Sequence, residues 1–170
     1  MFKRTLITMT ASIAALAAGI SAASAQTPTR LEQFDAWGVY KYDAGGKSAC
    51  FALSKPVQAE PRSVNHGDNW FFVYKRPEAS VNLEPEVRAG YNLKPGSNVT
   101  VTVDAKNFTF DPTDASAWMA NAAQEPAFVA AAKRGRNMTV SATSKRGTNT
   151  KYTYSLMGIT AALNKVAECS

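Results

Sequence analysis

Strict alternation of apolar and polar residues constrains this chain most. Val99-Thr-Val-Thr-Val103 places three valines on one face and two threonines on the other. Met138, Val140 and Ala142 alternate with threonine and serine, and Tyr152, Tyr154 and Leu156 alternate with Lys151, Thr153 and Ser155. A period of two is the mark of a half-buried strand, and β-branched and aromatic residues suit its pleat. Trp37 and Val39 share one face, and Val87, Ala89 and Tyr91 alternate later. Ala49, Phe51 and Leu53 alternate with Cys50 and Ala52, so apolar side chains point both ways and predict a strand buried on both faces. Trp70 to Tyr74 is aromatic and β-branched throughout, as a central strand should be. Phe108 and Phe110 follow a tight turn at Ala105-Lys106. About eight strands in one chain of this length predict a mainly β antiparallel sandwich or barrel.

Helical signals interrupt and end this pattern. Asp111-Pro112 resembles an N-cap followed by proline in the first turn, predicting a short helix through Trp118 and Met119. Glu125-Pro126 repeats the signal before an alanine-rich run. Lys133 and Arg134 then fall in the last turn, and Gly135 in the stop position. Ile159, Ala162, Leu163 and Val166 form one stripe of a C-terminal helix.

The first 25 residues read as an address. Lys3 and Arg4 precede an uncharged stretch from Leu6 to Ile20, and Ala23-Ser-Ala25 offers the small residues that signal peptidase cleaves behind. The apolar stretch falls short of the roughly 20 residues a spanning helix needs. Cleavage after Ala25 leaves 145 of the 170 residues and lowers the net charge from +6 to +4 as Lys3 and Arg4 are lost. A polar tail over 26–35 and a single domain over 36–170 follow. The expected compartment is the periplasm or cell envelope, or the medium by secretion. An oxidising compartment permits a disulfide, and Cys50 and Cys169 are the only two cysteines, so one pairing exists. Closing so long a loop is worth about 4–5 kcal/mol of chain entropy.

Two cysteines and one histidine exclude a zinc finger, an iron–sulfur cluster and any site of several imidazoles. No cofactor and no metal are expected. His66 lies beside a loop glycine and reads as polar surface, since no Gly-x-Ser-x-Gly elbow accompanies it. Glu78, Glu84 and Glu86 flank prolines and read as a loop, while Asp111 and Asp114 read as capping residues. Lys133, Arg134, Arg136, Lys145 and Arg146 concentrate positive charge. If the helix end and the Lys145-Arg146-Gly147 turn share one end of the domain, they form one basic surface for an anionic envelope component, or for an envelope or host protein. Each cation also has a bland role, at a helix terminus or a soluble hairpin tip. Nucleic acid is not expected, because no recognition motif is present. A second expectation is a small apolar ligand held among Trp70, Phe72, Phe108 and Phe110, rings that otherwise belong to the core.

Several segments, in order, resemble the invasion-associated locus B family of exported alphaproteobacterial proteins. They are Trp37-Gly-Val-Tyr40, Ser48-Ala-Cys-Phe-Ala-Leu-Ser-Lys-Pro56, Gly90-Tyr91, Ser97 to Val103, and Phe108-Thr-Phe110. Met138-Thr-Val, Thr143-Ser-Lys-Arg-Gly-Thr148, Thr153-Tyr-Ser-Leu-Met-Gly158, Thr160-Ala-Ala-Leu163 and Cys169 continue it, over about residues 36 to 169. The resemblance implies an immunoglobulin-like antiparallel β-sandwich with a short helical insertion and a C-terminal helix. It implies an envelope location, a link to virulence or host-cell invasion, and no enzymatic activity. It supplies no catalytic residues. Cys50 and Cys169 match positions where family members carry cysteine.

Overall fold

The computed structural model describes residues 27–43, 46, 48–75 and 83–169. The expected signal peptide, Glu78 and most of the Gly-Gly turn after Asp43 lie outside them. The strands are β1 (Thr29–Phe34), β2 (Trp37–Asp43), β3 (Ser48–Ser54), β4 (Gln58–Glu60), β5 (Trp70–Lys75) and β6 (Glu84–Arg88). They continue as β7 (Val99–Val103), β8 (Lys106–Thr113), β9 (Ser116–Met119), β10 (Asn137–Thr143) and β11 (Asn149–Ser155). Helix α1 spans Glu125–Arg134 and α2 spans Ile159–Glu168.

All strand pairs are antiparallel, in the order β1-β2-β3-β5-β6-β9-β8-β7-β10-β11-β4. The expected mainly β, antiparallel class is what forms, as one continuous hydrogen-bonded sheet that folds over on itself. Its two halves meet across the core: the Trp37 indole donates to the Ser155 carbonyl at 3.0 Å, and Phe71 lies 5.9 Å from Tyr154 and 6.3 Å from Phe110. Phe128 of α1 enters between the halves. It stacks on Phe71 at 5.7 Å and meets the edges of Phe108 and Phe110 at 5.3 and 6.2 Å. Burying one such ring is worth about 1.5–3 kcal/mol, and Ala131 and Ala132 of the same helix are buried as well.

The alternation of β7, β10 and β11 is realised: Val99, Val101, Val103, Met138, Val140, Tyr152 and Tyr154 are all buried. The predicted stripe of α2 is buried as well, at Ile159, Ala162, Leu163 and Val166. The helix enters at Gly158, which has φ +86°. A Cβ there would sit 2.0 Å from the Phe34 carbonyl oxygen, so only glycine fits. Cys50 on β3 and Cys169 just beyond α2 are bonded, with Cα atoms 6.1 Å apart. The Lys75 ammonium donates to the Ala167 and Cys169 carbonyls at 2.5 and 2.8 Å, capping the helix where its dipole is negative.

Three local expectations are corrected. Asp111 and Pro112 do not start a helix: they belong to β8, which turns through Asp114 (φ +52°) into β9. Part of the expected polar tail, Thr29–Phe34, pairs with β2 as β1. The turn before Phe108 is Asp104-Ala105, with Asp104 at φ +50° and Lys106 already paired to Val103. Gly135 ends α1 as expected, at φ −75° and so outside the left-handed region. It is needed for space, since a Cβ would lie 2.7 Å from Val103 Cγ1 and 2.8 Å from Leu156 Cδ1.

Candidate functional site

The basic residues do not share one end. Lys133, Arg134 and Arg136 precede β10, whereas Lys145 and Arg146 follow it. Seven extended residues hold the groups roughly 23 Å apart along the strand. At the α1 end, Lys133 donates to Asn164 Oδ1 at 2.9 Å. Arg134 borders a shallow depression that Asp104 also lines, so the charge there is mixed. The single basic surface expected from the sequence is therefore two separate places.

Lys145 and Arg146 instead edge a cleft of about 730 Å³ with Asn65, His66, Tyr91 and Asn92. That volume lies within the range of small-ligand sites, about 300–1,000 Å³. Among the described residues, no carboxylate lines it. Three segments distant in sequence build it. The segment around His66-Gly67 and the segment around Gly90-Tyr91 touch through their glycines: a Cβ on Gly90 would lie 2.5 Å from the His66 carbonyl oxygen and 2.6 Å from the Asp68 nitrogen. Buried Asn69 ties both segments, its Nδ2 donating to the His66 carbonyl at 2.8 Å and its Oδ1 accepting from the Gly90 amide at 3.2 Å. The β10–β11 turn is the third segment. Its Lys145 amide donates to the Asn92 carbonyl at 2.8 Å, and the Lys94 amide donates to the Thr143 carbonyl at 2.9 Å.

His66 is not free polar surface. Its Nε2 lies 2.9 Å from the Pro61 carbonyl, and its Nδ1 lies 2.9 Å from the Tyr152 hydroxyl. Tyr152 contacts the Tyr91 hydroxyl at 3.1 Å, Tyr91 contacts Thr150 Oγ1 at 2.6 Å, and Thr150 reaches the Ala142 carbonyl at 3.2 Å. Burial, and then the bond to Tyr91, push the Tyr152 phenol well above its ordinary value, so it stays neutral. Among the described residues, the lining of the cleft beside His66 includes no carboxylate to orient a nucleophile–base pair. Outside the relay, the lining can offer the Ser144 and Thr148 hydroxyls, the Asn65 and Asn92 side-chain amides and the Lys145 and Arg146 cations to an anion.

Glu84 and Glu86, expected in a loop, are on β6. Glu86 is fully buried on the outer face of the sheet. Its Oε1 accepts from Arg88 Nε at 3.1 Å, from Arg88 Nη2 at 2.9 Å and from Ser116 Oγ at 2.7 Å. That is the chemistry of a structural ion pair. The alternation Glu84-Pro-Glu-Val-Arg88 was the signal for it. The four rings considered for an apolar ligand lie on two different faces of the sheet. Phe108 and Phe110 pack on Phe128 in the core, whereas Phe72 stacks on Tyr74 at 5.3 Å and Trp70 lies under the Lys55 ammonium at 4.2 Å. Register puts Trp70 and Phe72 opposite Arg88 and Glu86, on the outer face.

Fold and site together define a disulfide-bridged antiparallel β-sandwich carrying an open, polar cleft. The family model for invasion-associated locus B (IalB) proteins matches residues 42–167. The chain belongs to that family. The crystal structure of invasion-associated protein B from Bartonella henselae has the same fold, with a TM-score of 0.60 at 15% identity. The match covers 79% of this chain and 92% of that one. No curated protein matches the chain. No helix among the described residues is long and apolar enough to cross a membrane.

Proposed function

We propose that the chain is an exported, non-enzymatic protein of the periplasm or cell envelope that binds an anionic partner at the cleft edged by Lys145 and Arg146. One observation carries the reading: two cations and a preorganised set of neutral donors line a space that, among the described residues, no carboxylate enters. Preorganisation matters because ordering loops at the moment of binding costs affinity. Export is supported by the character of residues 1–25 and by a disulfide, which persists in oxidising compartments. The partner is an anionic envelope component or an acidic surface of an envelope or host protein. In a pathogen the second would tie the protein to virulence.

The test is comparative capture from the native envelope. The mature protein, a Lys145→Glu/Arg146→Glu variant and an Arg134→Glu/Arg136→Glu variant are used as bait, and the retained components are identified by mass spectrometry. The hairpin variant should lose a component that wild type and the α1-end variant both retain. Equal retention by all three baits contradicts the reading.

A further inference from the structure

The hydrogen bonds along the cleft wall do not balance if His66 is neutral. Five contacts run from the Pro61 carbonyl through His66, Tyr152, Tyr91 and Thr150 to the Ala142 carbonyl. Each needs one proton. Thr150, Tyr91 and Tyr152 supply one apiece, and a neutral imidazole supplies one more. That makes four protons for five contacts.

The directions can be followed from one end. The Ala142 carbonyl only accepts, so the Thr150 hydroxyl donates to it. Tyr91 must then donate to Thr150, and Tyr152 to Tyr91. Tyr152 has no proton left, so His66 Nδ1 must donate to it. The Pro61 carbonyl also only accepts, so Nε2 must donate as well. Both ring nitrogens carry hydrogen only in the imidazolium. A neutral His66 leaves one contact unmade: the one to Pro61 if Nδ1 carries the hydrogen, or one within the hydroxyl chain if Nε2 carries it.

Lys145 and Arg146 line the same cleft as His66, so an anion held there lies beside the imidazole. Tyr152 meets the ring through its hydroxyl, which burial keeps neutral. On its own loop, Asp68 is engaged by Lys55 at 3.7 Å. On the neighbouring β4, Glu60 accepts from Gln58 at 2.7 Å. An anion in the cleft would favour the imidazolium by direct attraction.

We infer that the cleft is a proton-linked oxyanion site, in which His66 takes up a proton as a phosphate-type group binds between it and the Lys145-Arg146 turn. The inference rests on the proposed anion-binding role of the cleft and adds its regulation. By linkage, what the anion does for the proton the proton does for the anion, so affinity rises as pH falls through the range in which imidazoles titrate. The network also gains its fifth contact in that state, which stiffens the wall.

The test uses sulfate, whose charge is constant over the range, titrated into the ¹⁵N-labelled mature protein at pH about 5 and about 8 and followed by NMR. His66 is the only histidine of the chain, so its ring signals are unambiguous. Sulfate should bind about tenfold more tightly at the lower pH, a coupling of ordinary allosteric size. His66→Gln should flatten that dependence, and Tyr152→Phe should reduce it. Lys145→Glu/Arg146→Glu should abolish binding at both pH values. Sedimentation with phosphatidylglycerol and phosphatidylcholine vesicles is run in parallel. Binding to the anionic vesicles without sulfate binding identifies a lipid-borne phosphate as the source, and the same pH comparison is then read on the vesicles. Binding of equal strength at both pH values overturns the proton linkage and leaves the anion site standing. Absence of binding to sulfate and to anionic vesicles at either pH overturns both.

Discussion

Two parts of the molecule fix chain segments to the sandwich by opposite means. Helix α2 is held by a buried apolar stripe, by the Cys50–Cys169 bridge and by the Lys75 cap on its last carbonyls. The cleft segments are held by a glycine contact, by one buried asparagine and by a relay of hydroxyls ending on His66. The first device turns its apolar face inward and leaves little for a ligand to use. The second keeps polar atoms in line at a surface, where they can be recruited. Burial and a covalent bond are largely indifferent to pH in the neutral range, whereas a relay that includes imidazole is not. The molecule thus separates the part that keeps it folded from the part that can respond.

Removing the staple should show the largest effect. A Cys50→Ala/Cys169→Ala variant is expected to lose about 4 kcal/mol in denaturant unfolding, by the entropy of the long loop, while keeping the pH-dependent response of the cleft. Loss of both together would erase the separation. Gly90→Ala strikes the other device. Its Cβ meets backbone atoms of the facing segment, and the expected cost is about 2–3 kcal/mol by overpacking, with weakened anion binding. Full retention of binding would show that the glycine contact does not shape the cleft. Tyr152→Phe removes one hydroxyl from the relay and should cost about 1 kcal/mol in thermal or chemical unfolding.

The smallest effect concerns Glu125, which starts α1 and is nearly buried, with Oε2 unbonded among the described residues. Burial first, and Glu84 second, raise its carboxyl above the ordinary value. A raised carboxyl means that the folded state holds the proton more tightly than the unfolded chain. This residue therefore favours folding below the ordinary carboxylate range, and that advantage is lost as pH rises through the folded value. Glu125→Gln should stabilise the protein slightly at neutral pH, by less than about 1 kcal/mol, and the gain should vanish in acid. A loss of stability at neutral pH would mean that the favourable helix-terminus interaction outweighs burial.

How much was legible in the sequence follows from how each region satisfies its polar atoms. β7, β10 and β11 were readable because their inner positions are apolar and their outer positions are threonine, serine and other polar residues. β1 was not, because five of its six residues are exposed and no period of two survives. β9 has four residues, too few to outvote the Asp-Pro signal before it. The double-sided apolar character of β3 was read correctly: Cys50 and Ala52 face the core, while Phe51 stacks on Tyr40 at 5.4 Å on the outer face. The disulfide was legible from a count of two. The cleft was not, since His66 and Tyr152 are 86 positions apart and Tyr91 and Thr150 are 59 apart. Its one faint trace was a glycine beside a ring residue in both facing segments, His66-Gly67 and Gly90-Tyr91.

A partner docked in the cleft beside Lys145 and Arg146 would shield the three segments that build it. Hydrogen–deuterium exchange of the mature protein, with and without the captured envelope component, tests it most directly. Slowed exchange is expected at residues 65–67, 90–92 and 144–148, with α1 and α2 unchanged. Protection confined to Lys133, Arg134 and Arg136, or to the outer face of β2, β3 and β5, would contradict it.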